Sequence, residues 1–133
     1  YHEQQGTRDI AAFLTAPAAI QFLQENNWSD QSQKCKQMIL DVYADFCALL
    51  GSEPICPVTS EFLGQMCSIP IKTQKPFELK ETLYNQYKIE IPVMQIDHGI
   101  FLRISLNAYN DVRDLEILKN ALIQIQATTD LLQ

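Results

Sequence analysis

Residues 89–106, IEIPVMQIDHGIFLRISL, decide the fold of this chain. Two apolar runs, 89–96 and 100–106, flank the short segment Asp97-His98-Gly99. Runs of this length that are rich in isoleucine and valine are typical of strands, and a glycine in the turn between them can adopt a positive φ angle. The stretch therefore predicts an antiparallel β-hairpin.

One residue of this hairpin is unusual for an apolar strand. Arg103 lies in the middle of the second run, and it is one of three arginines in the chain. An unpaired guanidinium in a dry core costs several kcal/mol, so this side chain should face water or meet an anion. It could be a solvent-facing residue, a structural partner of Asp97 or Glu90, or a group that binds a carboxylate through two parallel hydrogen bonds.

The N-terminal part of the chain favours two short helices. Residues 10–26 are helix-forming but contain Pro17, which fits the first turn of a second helix with Thr15 as its cap. Thr7 or Asp9 could cap the first helix by accepting hydrogen bonds from its free N–H groups. Two helices are therefore expected here rather than one.

The middle of the chain predicts a long helix, a strand and a shorter helix. Residues 29–50 have apolar positions three and four apart, and Gly51 follows where the helix should stop. Residues 64–71 predict a strand that ends near Pro70, and residues 77–87 predict a helix.

A last amphipathic helix follows the hairpin, with Asn110 or Asp111 as its cap. The element order after the N-terminal helices is therefore β-α-β-β-α. This order predicts an α+β fold, in which a small, mainly antiparallel three-stranded sheet has helices packed on one face. The apolar stripe of the last helix contains Leu115, Leu118, Leu122, Ile125 and Leu132.

Length and composition limit the function classes. With 133 residues, 47% hydrophobic and 20% charged, the chain fits one soluble globular domain and lacks the run of about 18 apolar residues that a membrane helix needs. The net charge of −6, without clustered lysine or arginine, argues against nucleic acid as a partner. We expect neither nucleic-acid nor membrane binding.

The four cysteines match neither a zinc pattern nor a dense disulfide framework. They are Cys35, Cys47, Cys56 and Cys67, with spacings of 12, 9 and 11. Reduced cysteines on an apolar helix face behave as small hydrophobic residues, so a reducing, cytoplasmic location and no metal site are expected. The N-terminus is polar, resembles no signal peptide and does not begin with methionine, which fits a chain cut from a longer one.

Few side chains suggest catalysis. His2 lies near the N-terminus and His98 in a turn, and Cys67 has no basic neighbour that would lower its pKa. The segment Gly6-Thr7 precedes a helix start, where free N–H groups could bind a phosphate, although a plain capping turn has the same pattern. The sequence alone therefore predicts no catalytic residue.

Three segments resemble one family. They are QGTRDIAAFLTAPAAIQFL (5–23), VTSEFLGQMCSIPI (58–71) and IEIPVMQIDHGIFLRISLNAYNDVRDLEIL (89–118). In this order they resemble the GTRD segment, the first small-domain strand and the LRIS…YN signature of class V aminotransferase-fold pyridoxal phosphate enzymes. The similarity is greatest to the isopenicillin N epimerase-like branch, which is related to the cysteine desulfurases. The family's YNT is Tyr109-Asn110-Asp111 here, and aspartate caps a helix as threonine does.

This resemblance implies roles for two residues. Thr7 would contact the phosphate of pyridoxal 5′-phosphate, typically across a homodimer interface, and Arg103 would bind the carboxylate of an amino-acid substrate. The lysine that binds the cofactor covalently lies upstream in the family's large domain, and none of the seven lysines here has the matching context. Residues 1–28 would be a connecting segment with N-terminal helices, and residues 29–133 the C-terminal small domain.

The resemblance therefore implies a substrate-clamping domain that is inert without the large domain of its parent. The parent could be an epimerase, a transaminase, a lyase or a desulfurase. A desulfurase is less favoured, because no cysteine lies just ahead of the arginine strand. A free-standing interaction module that descends from such a domain is the alternative.

Overall fold

A computed structural model describes residues 6, 10–97 and 99–133. The fold is α+β, with helices and a three-stranded antiparallel sheet, as the sequence predicts. The elements are α1 (Ala11–Leu14), α2 (Ala16–Glu25), α3 (Trp28–Leu49), β1 (Met66–Ile71), α4 (Pro76–Tyr87), β2 (Val93–Ile96), β3 (Gly99–Ser105) and α5 (Val112–Thr128).

Strand β3 is the centre of the sheet. The strand order is β1-β3-β2, and β3 is antiparallel to both neighbours. Ile69 lies opposite Leu102 in the β1–β3 pair, and Ile96 lies opposite Gly99 at the hairpin. The predicted hairpin is thus confirmed, and its second strand also pairs with the strand before α4.

Alternate residues of the sheet face a single core. On β1 and β3 the buried positions alternate with half-buried or exposed ones, as expected for a sheet with one covered face. Helices α3, α4 and α5 contribute most of the other buried side chains of this core, and residues next to or between the elements, such as Leu63, Leu106 and Leu132, contribute the rest. The largest fully buried residues are Tyr43, Ile39, Leu50, Ile69, Leu79, Leu83, Leu102, Leu122 and Ile125.

Tyr43 links three parts of this core through its hydroxyl. The hydroxyl donates to the carbonyl of Ser68 in β1 (3.0 Å) and accepts from the backbone N–H of Ile55 (3.1 Å). Burial raises the pKa of the Tyr43 phenol. The loop between α3 and β1 is therefore fastened to the core although it contains two prolines.

Pro70 is tolerated inside β1 because β1 is an edge strand. In antiparallel pairing, alternate residues direct their N–H and C=O groups to the neighbouring strand. The carbonyl of Ser68 accepts from Tyr43 rather than from β3, so the backbone polar groups of Ser68 point away from β3. Those of Pro70, two residues later, point the same way. The missing N–H of proline therefore costs no bond within the sheet.

Several predicted boundaries and caps are wrong in detail. Strand β2 begins at Val93 rather than at residue 89, and α5 ends at Thr128, so Leu132 is buried beyond the helix. Helix α1 has Ile10 in the N-cap position instead of Thr7 or Asp9. Thr15 precedes α2 as predicted, but its hydroxyl donates to the carbonyl of Ala12 (2.8 Å) and so does not cap α2.

The hairpin turn also differs from the prediction. Asp97, not Gly99, has the positive φ angle, which is 50°. Gly99 is already the first residue of β3 and is paired with Ile96. Aspartate tolerates the left-handed region better than most residues, so the turn forms without glycine at that position.

Helices α1 and α2 bury none of their residues. Every residue from 10 to 27 is exposed, including Phe13, Leu14, Ile20 and Phe22, each more than half exposed. The N-terminal helices therefore lie outside the core of the other elements.

Candidate functional site

Arg103 lies on the open face of the sheet. It follows buried Leu102 and precedes buried Ile104 on β3, so its side chain points away from the face that the helices cover. Its partner in β1 is Ser68, and both residues are half-buried. The guanidinium is therefore tolerated in an apolar strand because it does not enter the core that the helices cover.

No described carboxylate forms an ion pair with the guanidinium. Among the described residues, the ion pairs are Lys75–Asp130 and Arg113–Asp111, so Arg103 pairs with neither Asp97 nor Glu90. Its Nε atom is buried and has no hydrogen-bond partner in the described part of the chain. A buried donor without a partner costs free energy, and an anion at this position would remove that cost.

A cleft of about 500 Å³ is formed partly by Arg103. Strand β2 pairs with β3 only as far as Val93. One residue earlier, the carbonyl of Pro92 still accepts a hydrogen bond from the N–H of Arg103 in β3 (3.1 Å). Proline has no N–H to return, so the ladder ends there. Residues 89–92 therefore separate from β3, and the cleft opens between them.

The start of α5 forms the opposite wall of this cleft, which Tyr109, Asn110 and Asp114 line. Asp111 accepts a hydrogen bond from the backbone N–H of Arg113 (2.8 Å), and Asp114 accepts one from the N–H of Asp111 (3.2 Å). This is a capping box, and it selects Asp111 from the two predicted caps. The Arg113 guanidinium and the backbone N–H groups of Arg113 and Asp114 hold the pKa of Asp111 below its usual value.

The sequence reasoning found Arg103 and the cap but missed the cleft itself. Pro92 and Tyr109 were not recognised as lining residues, because the cleft depends on where the β2–β3 pairing stops. A proline inside the first predicted hairpin strand was the available signal, since it removes a ladder donor.

The remaining sequence candidates do not extend this site. Thr7, Asp9, His2 and His98 lie outside the described residues. Cys67 is buried on the core face, opposite to Arg103, and burial raises the pKa of its thiol to about 12. A thiol this rarely ionised is a poor nucleophile, so the interpretation of Cys67 as a core residue is confirmed.

The described residues hold no group of histidine, cysteine, aspartate and glutamate side chains that could bind a metal ion. Within the same residues, each helix is too short or too polar to cross a bilayer. The four cysteines are free thiols.

Comparison with known proteins gives one distant relationship. No protein-family model matches the chain. It is 26% identical over 125 residues to an isopenicillin N epimerase of Amycolatopsis lactamdurans, and the alignment covers 92% of this chain but 31% of that protein. The chain thus spans about a third of the length of this relative. The similarity supports the motif resemblance at the level of a distant relation to an isopenicillin N epimerase.

Proposed function

We propose that this chain is the C-terminal small domain of a pyridoxal phosphate-dependent, class V aminotransferase-like enzyme of the isopenicillin N epimerase-like branch. In this proposal Arg103 binds the carboxylate of an amino-acid substrate. The parent enzyme would act at the α- or β-carbon of an amino acid or a similar amine. The distant relation to an isopenicillin N epimerase supports this assignment.

The observation that carries the proposal is the Nε of Arg103, which is buried and has no hydrogen-bond partner among the described residues. Structural arginines in folded proteins are normally paired, because an unpaired buried donor is destabilising. Here no carboxylate of the described residues lies within ion-pair distance of the guanidinium. A bound carboxylate would accept from Nε and from a terminal nitrogen at once, in the geometry that arginine offers and lysine does not.

The cleft gives this arginine a place to receive a ligand. A volume of about 500 Å³ falls within the range of small-molecule sites, about 300 to 1,000 Å³. Arg103 would hold and orient the acid group of the substrate. The remaining walls would exclude part of the surrounding water.

The cofactor itself would be held mainly by the rest of the parent. Pyridoxal phosphate, when bound, supplies an electron sink for the substrate carbon. Thr7 is proposed to contact its phosphate, but lies outside the described residues. The seven lysines are all described, and none of them is buried as a lysine in an enclosed cofactor site would be. Asp130 also raises the pKa of Lys75.

We place the boundary between the connecting segment and the small domain at residues 28 and 29. The complete exposure of residues 10–27 supports this boundary, because those residues share no core with the sheet. Their apolar side chains would be covered by the large domain of the parent or by a second protomer of a cytoplasmic homodimer.

Carboxylate binding to the purified chain tests the proposal. The side-chain Nε–H signal of Arg103 is followed by NMR while acetate or an amino acid is added. We expect that signal to move. Because Arg103→Gln and Arg103→Lys lack it, binding to these variants is followed through the backbone amide signals of β3. Arg103→Gln should weaken binding at least tenfold, with Arg103→Lys intermediate because a lysine cannot form the two parallel bonds.

Arg113→Gln is the matched control, since Arg113 is an exposed arginine paired with Asp111. It should bind carboxylates as the wild type does. If Arg103→Gln retains wild-type affinity, or if only the Arg113 signal moves, Arg103 is not the carboxylate site.

A second candidate, a free-standing interaction module, is favoured by one observation, the exposed apolar side chains of α1 and α2. The reading frame upstream of Tyr1 separates the two candidates. A large domain with a cofactor lysine supports the enzyme, and a start codon directly before Tyr1 supports the module.

A further inference from the structure

Tyr109 is the most exposed large apolar or aromatic side chain in the described part of the chain. Its exposed fraction is 84%. A single exposed tyrosine is ordinary, but this one lines the same cleft as Arg103. A ligand in that cleft could therefore contact the exposed ring.

The turn that carries Tyr109 is held by hydrogen bonds on both sides of the residue. The N–H of Asn110 donates to the carbonyl of Asn107 (2.8 Å), and the N–H groups of Asn107 and Ala108 donate to asparagine side chains (both 2.9 Å). The side chain of Asn110 also donates to Asp114 in α5 (3.1 Å). The backbone of Tyr109 is thus fixed before any ligand arrives, so little backbone entropy is lost when the ring makes a contact.

Apolar and polar side chains both line the cleft, and the apolar ones matter for the part of a ligand that lies away from Arg103. Ile91, Leu106, Leu115 and Leu118 line it, and all four are buried. A volume of about 500 Å³ corresponds to a cube with an edge of about 8 Å, so Arg103 and Tyr109 are within reach of one small ligand. A carboxylate at Arg103 would leave the other end of that ligand against apolar side chains.

We propose that Tyr109 is a specificity-determining residue, which packs its ring on the apolar side chain of the acid that Arg103 binds. This inference rests on the proposed function and names the substrate class as acids with an extended apolar or aromatic side chain. An aromatic ring on a fixed turn offers a large contact area with two rotatable side-chain bonds. Small acids such as acetate would reach Arg103 without contacting the ring.

The test compares acetate with 4-phenylbutyrate on the purified chain, with the Nε–H signal of Arg103 as the readout. We expect 4-phenylbutyrate to bind at least tenfold more tightly than acetate. Tyr109→Ala should reduce this ratio about fivefold and leave acetate binding unchanged, whereas Tyr109→Phe should keep the ratio within about twofold because the ring remains.

Tyr84→Ala is the matched control, since Tyr84 is a 55% exposed tyrosine on α4 that does not line this cleft. An equal effect of Tyr84→Ala, an unchanged ratio in Tyr109→Ala, or no preference of the wild type for 4-phenylbutyrate would overturn the inference while leaving Arg103 as a carboxylate site. If neither acid moves the Arg103 signal, the proposed function fails and the inference fails with it.

Discussion

Gly99 leaves room for the ring of Phe101 at the start of β3. A Cβ at this position would lie 2.6 Å from Cε2 and 2.7 Å from Cζ of Phe101, which is closer than real Cβ contacts. Both atoms belong to the far end of a side chain that can rotate, so the clash would move the ring rather than break the hairpin. The ring of Phe101 would then lose its place on the open face beside Arg103.

We therefore predict that Gly99→Ala destabilises the chain by about 1 kcal/mol, at the lower end of overpacking costs, as measured by urea unfolding. Gly64→Ala is the control, because a Cβ there meets nothing within 4 Å. It should be neutral or slightly stabilising, since alanine reduces the entropy of the unfolded chain. Equal losses for the two variants would contradict the steric explanation.

Cys67 links stability to alkaline pH. Its thiol has a pKa of about 12 in the folded chain because it is buried, against an ordinary value of 9.0. Between these values the unfolded chain releases a proton that the folded chain keeps. The stabilising contribution is therefore complete below pH 9 and is lost as the pH rises toward 12, by up to ~1.4 kcal/mol per pH unit.

Cys67→Ala should flatten this decline, measured as the free energy of unfolding in urea at pH 8 and at pH 10.5. Tyr43 and Cys47 also have pKa values that burial raises, so part of the decline should persist in the variant. A Cys67→Ala slope equal to that of the wild type would show that the thiol is ionised in the folded chain.

At the scale of the elements, the capping box fixes where α5 begins. The side chain of Asp111 satisfies the N–H of Arg113, which no carbonyl within the helix can reach. We predict that Asp111→Ala lowers the Tm by about 3 to 5 °C, and that Asp111→Asn keeps most of the stability because asparagine is also a good N-cap. Thermal unfolding followed by circular dichroism measures both effects.

Arg113→Ala separates the cap from the ion pair. This variant removes the guanidinium that bonds to Asp111 but leaves the backbone N–H that the cap satisfies. The pair is exposed, so its loss should change the Tm by about 1 °C or less. If Arg113→Ala lowers the Tm as much as Asp111→Ala does, the ion pair and not the cap stabilises the start of α5.

The elements with local determinants were predictable from the sequence. Helix α3 starts and ends within one residue of its predicted bounds, because its apolar spacing and Gly51 at its end are local signals. Strand β2 was predicted four residues too long, because its length depends on pairing with β3. Pro92 ends that pairing, and a proline in a run of apolar residues does not by itself show which ladder bond it removes.

The candidate site was predictable to the same extent. The presence of Arg103 in an apolar strand left an anion site as one of three interpretations, and the family resemblance favoured it. The alternation of β3 explains why the side chain avoids the core. The cleft was not predictable, because it forms between residues 89–92 and a turn about 15 residues later in the chain. One wall forms where the β2–β3 pairing ends, and the other forms at the capped start of α5.

At the scale of the whole molecule, the structure divides into a core and an uncovered N-terminal part. One core contains the buried residues of α3, α4, α5 and the sheet, whereas α1 and α2 contribute nothing to it. Exposed apolar residues on two successive helices are costly unless another surface covers them. This division agrees with the proposal that the chain works as a part of a larger enzyme.

The same proposal predicts that this chain alone binds pyridoxal phosphate at no particular lysine. All seven lysines are at least partly exposed, and Asp130 raises the pKa of Lys75, so no lysine has the buried setting that makes an amine selectively reactive. After incubation with pyridoxal phosphate and reduction with borohydride, mass spectrometry should find adducts spread over several lysines at low occupancy. Lys75 should be among the less modified, because Asp130 raises the pKa of its amine and forms an ion pair with it, and Asp130→Ala should increase its share of the adducts. A single dominant lysine, whose replacement by arginine removes the cofactor absorbance, would show that the chain carries its own cofactor site and is not the inert part of a longer enzyme.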